Sequence, residues 1–229
     1  MDNFDELNTT LIACRLCPRL VAWREQVAIE KRRAYRVWDY WGIPVPGFGD
    51  PMARVLVVGL APGAHGSNRT GRMFTGDASG DFLYAALHRV GFASQPVSQY
   101  RDDGLTLQDL FISAVCRCVP PGNHPSPAEI ATCLPYLQQE MALLTRVQII
   151  VALGHIAFDH ILSRFADRSQ NSDFDLRSLV FKHGASYSLG AHRPHVVASY
   201  HPSRQNTQTG RLTSDMFDTI WTTALSMLR

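Results

Sequence analysis

The stretch Arg54-Val-Leu-Val-Val-Gly59 decides the predicted fold, because it is a short apolar run stopped by a glycine. Runs of this kind are typical of strands buried on both faces, as in parallel sheets. Residues 110–119, 148–153 and 195–199 have the same apolar character. The sequence therefore predicts four buried strands.

Segments with helical apolar spacing alternate with these strands. They are residues 4–33 (interrupted near Cys17-Pro18), 80–91, 127–144, 154–164 and 212–228. Ser79 and Ser126 are the predicted caps of two of them, and Pro127 suits a first helical position. This alternation predicts an α/β fold, a three-layer α/β/α sandwich with a central, mostly parallel four-stranded sheet, in a single domain over residues 1–229. Residues 170–188 give no clear prediction.

The composition limits the partners. The formal net charge is only +2, which does not by itself indicate a nucleic-acid partner. One local basic cluster, Lys31, Arg32, Arg33 and Arg36, is either a nucleic-acid contact or a solvated helix face. No run approaches the roughly 18 apolar residues of a membrane-spanning helix, and acidic residues precede the first apolar stretch. We expect a cytoplasmic protein with no membrane partner.

Two unusual loops follow predicted strands, at the strand ends where ligands of such folds bind. The first, residues 59–77, holds five glycines in nineteen residues, and its interleaved side chains include His65, Asn68, Arg69, Arg72, Phe74 and Asp77. Its glycine spacing matches neither a P-loop nor a dinucleotide fingerprint. An aromatic platform, a carboxylate and backbone amides are what a flipped base requires. A purely structural loop is the alternative, although long structureless loops are uncommon.

The second loop, residues 199–211, consists almost entirely of hydrogen-bonding side chains. His201 stands at the end of a predicted strand, where it is held rigidly. The polar residues that follow suit contacts to phosphates or to a groove of DNA. They are Arg204, Gln205, Asn206, Gln208 and Arg211.

Five cysteines, an odd number, argue against a disulfide framework. Cys14 and Cys17 are separated by two residues, and Cys118 and Cys133 follow much later. Four thiolates suit a structural zinc or a [4Fe–4S] cluster, and spacing alone does not choose between them. Cys116 lies two residues before Cys118 and would share its strand face, so it competes as a ligand. A redox pair or buried thiols are the alternative.

The two loops and the cysteines together resemble the uracil-DNA glycosylase superfamily, in particular its iron–sulfur branch, family five or type B. Gly59-Leu-Ala-Pro62 matches the first motif of the superfamily, and His201-Pro-Ser203 matches the last. Ser67-Asn-Arg-Thr-Gly-Arg72 and Gln205-Asn-Thr-Gln-Thr-Gly210 match strings specific to family five. The resemblance runs from Cys14 to the C-terminal helix.

This resemblance implies a [4Fe–4S] cluster with a structural role, which tethers loops near DNA. Its ligands would be Cys14, Cys17, Cys118 and Cys133, which leaves Cys116 free. It also implies a monomeric DNA repair enzyme that hydrolyses the N-glycosidic bond of uracil and other deaminated bases and leaves an abasic site. The implied partner is DNA that contains uracil or deaminated purines.

Two positions depart from the wider superfamily. Ala61 stands where other members have an aspartate that positions the attacking water, and Ala114 stands where many have an asparagine that reads the uracil edge. A site without these two groups should discriminate less strictly between bases. Family five is known for such breadth, which includes hypoxanthine and xanthine.

Cleavage builds positive charge on the sugar and negative charge on the leaving base. A carboxylate stabilises the first and a fixed donor the second. We expect Asp77 to be the carboxylate, with Asn123 orienting the water and His201 donating to the base. Asp81 is the alternative carboxylate, although a first-turn helix position explains it equally.

The remaining expected contacts fall into two groups. The base would meet Gly59, Leu60, Ala61, Gly63 and the Phe74 ring. DNA would meet Arg69, Arg72, Ser203, Arg204, Gln205, Asn206 and Arg211, with Asn206 and its neighbours filling the gap left by the flipped base.

Two other functions stay open. A non-catalytic iron–sulfur module that recognises damaged or single-stranded DNA is compatible with the missing aspartate at Ala61. A zinc-stabilised hydrolase of free nucleosides or nucleotides is compatible with the four cysteines.

Overall fold

The chain folds around a six-stranded sheet in a computed structural model that describes residues 3–166 and 176–228. The strands are β1 (Phe48–Gly49), β2 (Val55–Gly59), β3 (Leu110–Ala114), β4 (Ile149–Leu153), β5 (Ser186–Ser188) and β6 (His195–Ser199). Their order is β1-β3-β2-β4-β6-β5.

The four predicted strands are the central ones, and all of them run parallel. The predicted total of four strands is wrong, because β1 and β5 add antiparallel edges of two and three residues. Such short edge strands bury little and leave no apolar run in the sequence. The predicted second strand is also too long, since β3 ends at Ala114.

Helices cover both faces of the sheet. They are α1 (Phe4–Ile12), α2 (Pro18–Glu30), α3 (Ser67–Thr70), α4 (Ala78–Arg89), α5 (Pro127–Leu143), α6 (His155–Ala166), α7 (Arg204–Gln208) and α8 (Ser214–Met227). Short 3-10 turns occupy Arg33–Tyr35, Pro121–Asn123 and Leu176–Ser178. Within the described residues, no helix combines the length and apolar character that a membrane crossing requires.

Helix capping was predicted correctly at one helix and wrongly at another. Ser126 caps α5 in a reciprocal capping box with Glu129, and Pro127 is its first residue. At α4 the cap is Asp77 rather than the predicted Ser79. The segment 170–188, whose secondary structure we do not predict, lies partly outside the described residues, and its described part contains β5.

Two hydrophobic cores, one on each face of the sheet, explain the three layers. Val55 and Val57 of β2 belong to the core beneath α4 and α8, whereas Leu56 and Val58 belong to the core beneath α1, α5 and α6. Successive strand residues point to opposite faces, so β2 is buried on both. The predicted three-layer α/β/α class is confirmed. The loops 59–77 and 199–211 leave the sheet at its carboxyl edge, where β2 and β6 end.

Candidate active site

The 59–77 loop is more ordered than the sequence predicts, because its polar residues bond to one another. Helix α3 forms within it, and the N–H groups of Asn68 and Thr70 donate to the carbonyls of Gly63 and Gly66 at 3.0 Å each. Its polar side chains turn inward. Ser67, Asn68, Arg69, Thr70, Arg72 and Thr75 are all buried.

Arg69 was predicted to contact DNA, but its side chain is only 3% exposed. Its guanidinium lies between the rings of Tyr35 and Trp38, 4.0 and 4.1 Å from their centroids. It donates to the carbonyls of His65 at 2.7 Å and Gly76 at 2.8 Å. This enclosure corrects the prediction, because Arg69 ties the loop together instead of reaching a phosphate.

Arg72 requires the same correction. It donates to both carboxylate oxygens of Asp103, at 2.8 and 2.7 Å, and to the hydroxyl of Ser98 at 2.8 Å. Its side chain is also only 3% exposed. The acceptors come from residues far along the chain, so the sequence around Arg72 did not reveal that it is enclosed.

Phe74 and His201 come from different loops and lie against each other, with ring centroids 5.7 Å apart and planes at 29°. Gly59 makes room for Phe74, because a β-carbon there would lie 2.9 Å from its ring. Phe74 has a φ of +51°, a conformation that costs on the order of 1–3 kcal/mol in non-glycine residues and is concentrated at functional sites. The structure thus brings together two predicted residues and leaves little of the Phe74 ring exposed.

The position and protonation of His201 are both fixed by its surroundings. The side-chain amide of Asn206 donates to the His201 carbonyl at 2.8 Å. Burial lowers the pKa of the His201 imidazole to about 4. The ring is therefore neutral at physiological pH, and a neutral imidazole still donates one hydrogen bond.

The Asp77 carboxylate is held between the start of a helix and the loop backbone. Its Oδ1 accepts from the N–H groups of Ser79 and Gly80 at 3.0 Å each, which caps α4. Its Oδ2 faces Gly63 and Gly66, where β-carbons would lie 2.9 and 1.9 Å away. Burial raises the pKa of Asp77, and the two helix N–H groups oppose that shift by favouring the anion.

Asp81, the alternative carboxylate, lies exposed in the first turn of α4. Burial raises its pKa as well, and the nearby charge of Arg204 lowers it. Among the described residues, no glycine lies against it as Gly63 and Gly66 lie against Asp77. The geometry favours Asp77.

Asn123 forms no hydrogen bond with the other predicted catalytic residues, Asp77 and His201, in the described part of the chain. It lies exposed in the Pro121–Asn123 turn with a φ of +62°.

The 199–211 loop contains a helix that the sequence did not predict. Ser203 caps α7 by accepting from the N–H of Asn206 at 3.4 Å, so these two residues serve the loop itself. Arg204, Gln205 and Arg211 are exposed, and Arg211 lies over the Tyr200 ring at 4.6 Å. Gln208, the other residue of this loop that suits a DNA contact, is exposed as well.

The four predicted ligand cysteines, Cys14, Cys17, Cys118 and Cys133, line one pocket. Cys116 is fully buried and does not line it. The argument that Cys116 and Cys118 share a strand face is wrong, because β3 has ended before either. Among the described residues, no three histidine, cysteine or acidic side chains are close enough to hold one metal ion.

Arg24 supplies an independent observation on this cysteine pocket. Its side chain is 1% exposed, and it donates to Cys118 Sγ at 2.9 Å and to the Cys14 carbonyl at 3.1 Å. In the described residues, no carboxylate lies within ion-pair distance of it. The other fully buried arginine, Arg117, pairs with Glu140. A buried cation needs a counter-charge, and several thiolates around a cluster provide one. The residues therefore fit a thiolate-bound cluster.

Sequence reasoning missed Arg24, although a signal was present. Leu20, Arg24 and Val27 share the buried face of α2, at the spacing of an apolar helix stripe. A charged residue within such a stripe indicates a buried partner.

The cysteine pocket and the 59–77 loop are directly joined. Asn68 donates its side-chain amide to the Arg24 carbonyl at 3.3 Å. The N–H of Cys116 donates to the Leu60 carbonyl at 2.8 Å, which continues the pairing of β3 with β2 beyond the sheet. Anything that orders the cysteine segment therefore acts on the loop that carries Asp77.

Comparisons with known proteins give a consistent result. The model of the uracil DNA glycosylase superfamily matches residues 46–225. A Type-5 uracil-DNA glycosylase of Thermus thermophilus is 55% identical over 91% of this chain and 90% of its own length. Similar relatives carrying that same description occur in Mycobacterium tuberculosis (51% identical over 94% of this chain and 78% of the relative) and Pyrobaculum aerophilum (43% identical over 92% and 87%).

Proposed function

The chain belongs to the uracil-DNA glycosylase superfamily, and we propose that its substrates in DNA are uracil and the deaminated purines hypoxanthine and xanthine. As a DNA glycosylase it is a hydrolase of the N-glycosidic bond, and its product is an abasic site. The observation that carries the proposal is the enclosed Asp77 carboxylate at the start of α4, beside the paired rings of Phe74 and His201.

The proposed mechanism divides the two developing charges between the two loops. The bond from the sugar C1′ to the base nitrogen breaks, and its electron pair leaves with the base. Neutral His201 donates to a base carbonyl oxygen and stabilises the negative charge there. The Asp77 carboxylate stabilises the positive sugar. The oxygen of a water molecule then bonds to C1′, and the water proton passes to Asp77 or to solvent.

Asn123 keeps its proposed role of orienting this water. Its side chain lies exposed on its turn, where it is accessible to a water molecule in the site. Phe74 is proposed to stack on the base, which requires the base to displace or flank the His201 ring.

Acceptance of several bases is supported by the alanines at positions 114 and 61, near the strand ends of the site. Ala114 is in register with Gly59, the residue on which the Phe74 ring packs. A methyl group there offers no hydrogen bond by which uracil would be distinguished from a purine. Ala61, half-buried after β2, likewise offers no carboxylate to the water. Backbone amides of residues 59–63 are left as the proposed contacts to the base edge.

We propose that Cys14, Cys17, Cys118 and Cys133 hold a [4Fe–4S] cluster. Bound there, it would supply negative charge from its thiolates and would cross-link the segment between α1 and α2 to α5 and to the segment after β3. Arg24 would balance that charge, and Asn68 would connect Arg24 to the catalytic loop. We expect the purified protein to be brown, with absorbance near 400 nm, as is general for iron–sulfur clusters. A colourless zinc protein active on free nucleotides would favour the zinc-hydrolase alternative instead.

The test of the function is one assay. Duplexes that carry uracil, hypoxanthine or xanthine are incubated with the protein and scored for alkali-labile abasic sites. Product from all three confirms the proposal, and product from uracil alone removes its purine part. Binding without product from any of them favours the non-catalytic DNA-recognition module that Ala61 leaves open. The single domain, monomeric state and cytoplasmic location stay predictions.

A further inference from the structure

A basic turn follows α2, and its arginines form no ion pair in the described residues. Four exposed or half-exposed arginines elsewhere in the described chain do form ion pairs: Arg15 with Glu25, Arg19 with Glu129, Arg54 with Asp109 and Arg89 with Asp218. Within the described residues, no carboxylate pairs with Lys31, Arg32, Arg33 or Arg36, and the three arginines are exposed. Four uncompensated positive charges are thus held close together on the surface.

This turn is not a solvated helix face, one of the two interpretations that the sequence allowed. Helix α2 ends at Glu30, and the backbone turns at Lys31 with a φ of +50°. Arg33 lies in the short 3-10 turn that follows, and Arg36 comes directly after it. The cluster is therefore displaced from the helix surface.

The basic turn is fastened to the loop that carries Asp77. Tyr35 and Trp38, on either side of Arg36 in the sequence, enclose the buried Arg69 guanidinium of the 59–77 loop. The Tyr40 hydroxyl lies 3.1 Å from His65 Nδ1 in the same loop. Burial lowers the pKa of His65, and the charge of Arg32 lowers it further, which places Arg32 near the loop. The basic turn therefore borders the proposed catalytic loop and is held there by packed aromatic rings.

We propose that the basic turn, Lys31–Arg36, binds the phosphate backbone of the DNA next to the flipped nucleotide. Phosphate is the anion that uncompensated guanidinium groups recognise best, since their donors match its oxygens. Anchoring through Tyr35 and Trp38 keeps these groups in place before DNA arrives, so less conformational entropy is lost on binding. Arg69 then has an indirect role in DNA binding, because it anchors Tyr35 and thereby the basic turn that contacts the phosphates.

The proposal rests on the proposed function, in which DNA is the substrate. Its test distinguishes failure of the basic-turn proposal from failure of that function. Binding is measured on a duplex with a stable abasic-site analogue, so no cleavage step is involved. The natural chain is compared with the variant Arg32→Ala/Arg33→Ala/Arg36→Ala over a series of salt concentrations. Each lost phosphate contact reduces the slope of log K against log[salt] by about 0.9, so the triple variant should lose up to about 2.7.

Two matched variants sharpen the result. Arg146→Ala removes one exposed cation that forms no ion pair in the described residues and that precedes β4, at the sheet edge opposite the loops. It should leave the slope unchanged. Replacing the same three arginines with lysine keeps the charge and should restore most of the slope. Unchanged circular dichroism of the alanine variant shows that it is folded.

The outcomes are distinct. A triple variant with the natural slope overturns the proposal and leaves the basic turn as solvated surface. A loss of about 0.9 from Arg146→Ala, the same per charge as in the triple variant, overturns it too, because net charge and not position would explain the effect. If the natural chain does not bind DNA at all, the proposed function fails together with this inference.

Discussion

The base pocket, which we define as Phe74, Asp77 and His201 with the backbone around Gly63 and Gly66, is hydrogen-bonded to the cysteine pocket through the 59–77 loop, but the two are built on opposite principles. In the base pocket, glycines leave room for neighbouring side chains, and burial by the surrounding protein shifts the pKa of both Asp77 and His201. Asp77 meets helix N–H groups and glycine backbone, and His201 is kept neutral by burial. In the cysteine pocket, the buried Arg24 has no carboxylate within ion-pair distance among the described residues. The Asp77 carboxylate is held by helix N–H groups of the base pocket itself, whereas the cysteine pocket fits added negative charge, which cluster-bound thiolates would supply.

This difference indicates a division of labour. Cleavage of the N-glycosidic bond is assigned to the base pocket, whose functional groups are all side chains and backbone of the protein. The cysteine pocket is connected to that site by two hydrogen bonds. The Asn68 amide donates to the Arg24 carbonyl, and the Cys116 N–H donates to the Leu60 carbonyl. Substitutions in the first pocket should change the cleavage rate directly. Substitutions in the second should change cluster content and loop order first.

The largest effect is expected from Asp77→Asn. Asparagine caps a helix as well as aspartate does, so α4 should persist while the carboxylate charge is lost. The single-turnover cleavage rate should fall by about 10²–10⁴-fold, the range for a positioned acid–base group, with DNA affinity retained. The matched control is Asp81→Asn, which should stay within a few-fold of the natural rate. Full activity in Asp77→Asn with loss in Asp81→Asn would exchange their roles.

A graded pair of glycine substitutions tests how the base pocket holds its carboxylate. A β-carbon at Gly66 would lie 1.9 Å from Asp77 Oδ2, and one at Gly63 would lie 2.9 Å from it. Neither glycine has a positive φ, so steric displacement of the carboxylate is the expected effect in both. Gly66→Ala should reduce the single-turnover rate by about ten-fold or more, since small displacements of positioned groups are costly. Gly63→Ala should cost less. The reverse order would contradict the described carboxylate position.

The parallel sheet was predictable because each central strand is buried on both faces, which leaves a continuous apolar run in the sequence. The edge strands β1 and β5 were not, because two or three residues paired on one side carry no such pattern. Loop interiors were equally hidden. Arg69 and Arg72 are residue types that often contact DNA, but the rings that enclose Arg69 and the carboxylate that pairs with Arg72 come from elsewhere in the chain. A side chain's charge is visible in the sequence, while its direction depends on tertiary contacts.

The candidate site was predictable where residues follow strand ends. Phe74 and His201 are separated by more than a hundred residues, yet the carboxyl edge of the sheet brings their rings together. The cap at Asp77 was missed because Ser79 is an equally good capping residue by type. The roles assigned to these residues in cleavage stay predictions.

In the cysteine pocket, Arg24→Gln should remove the buried positive charge while keeping a hydrogen-bond donor. We expect a several-fold faster loss of cluster absorbance in the presence of a chelator. Faster amide exchange in residues 59–77 should accompany it, because Arg24 and Asn68 are joined. Arg24→Lys retains the charge and should recover part of the cluster stability. Unchanged cluster loss in Arg24→Gln would show that the guanidinium does not balance the thiolates.

The smallest effect is expected from pH, and it separates the two ionisable groups of the base pocket. With a pKa of about 4, His201 is neutral from pH 8 to pH 5, so kcat/KM should show no inflection near the ordinary histidine value of about 6.5. Burial raises the pKa of Asp77, so its carboxylate is lost at a higher pH than usual and activity should fall on the acid side. Because kcat/KM reports the free enzyme, the profile tests the unbound site directly. His201→Ala should lower the whole profile without changing its shape. An inflection near pH 6.5 that vanishes in this variant would mean that water reaches the imidazole, and the base pocket would then lack the closed character that distinguishes it from the cysteine pocket.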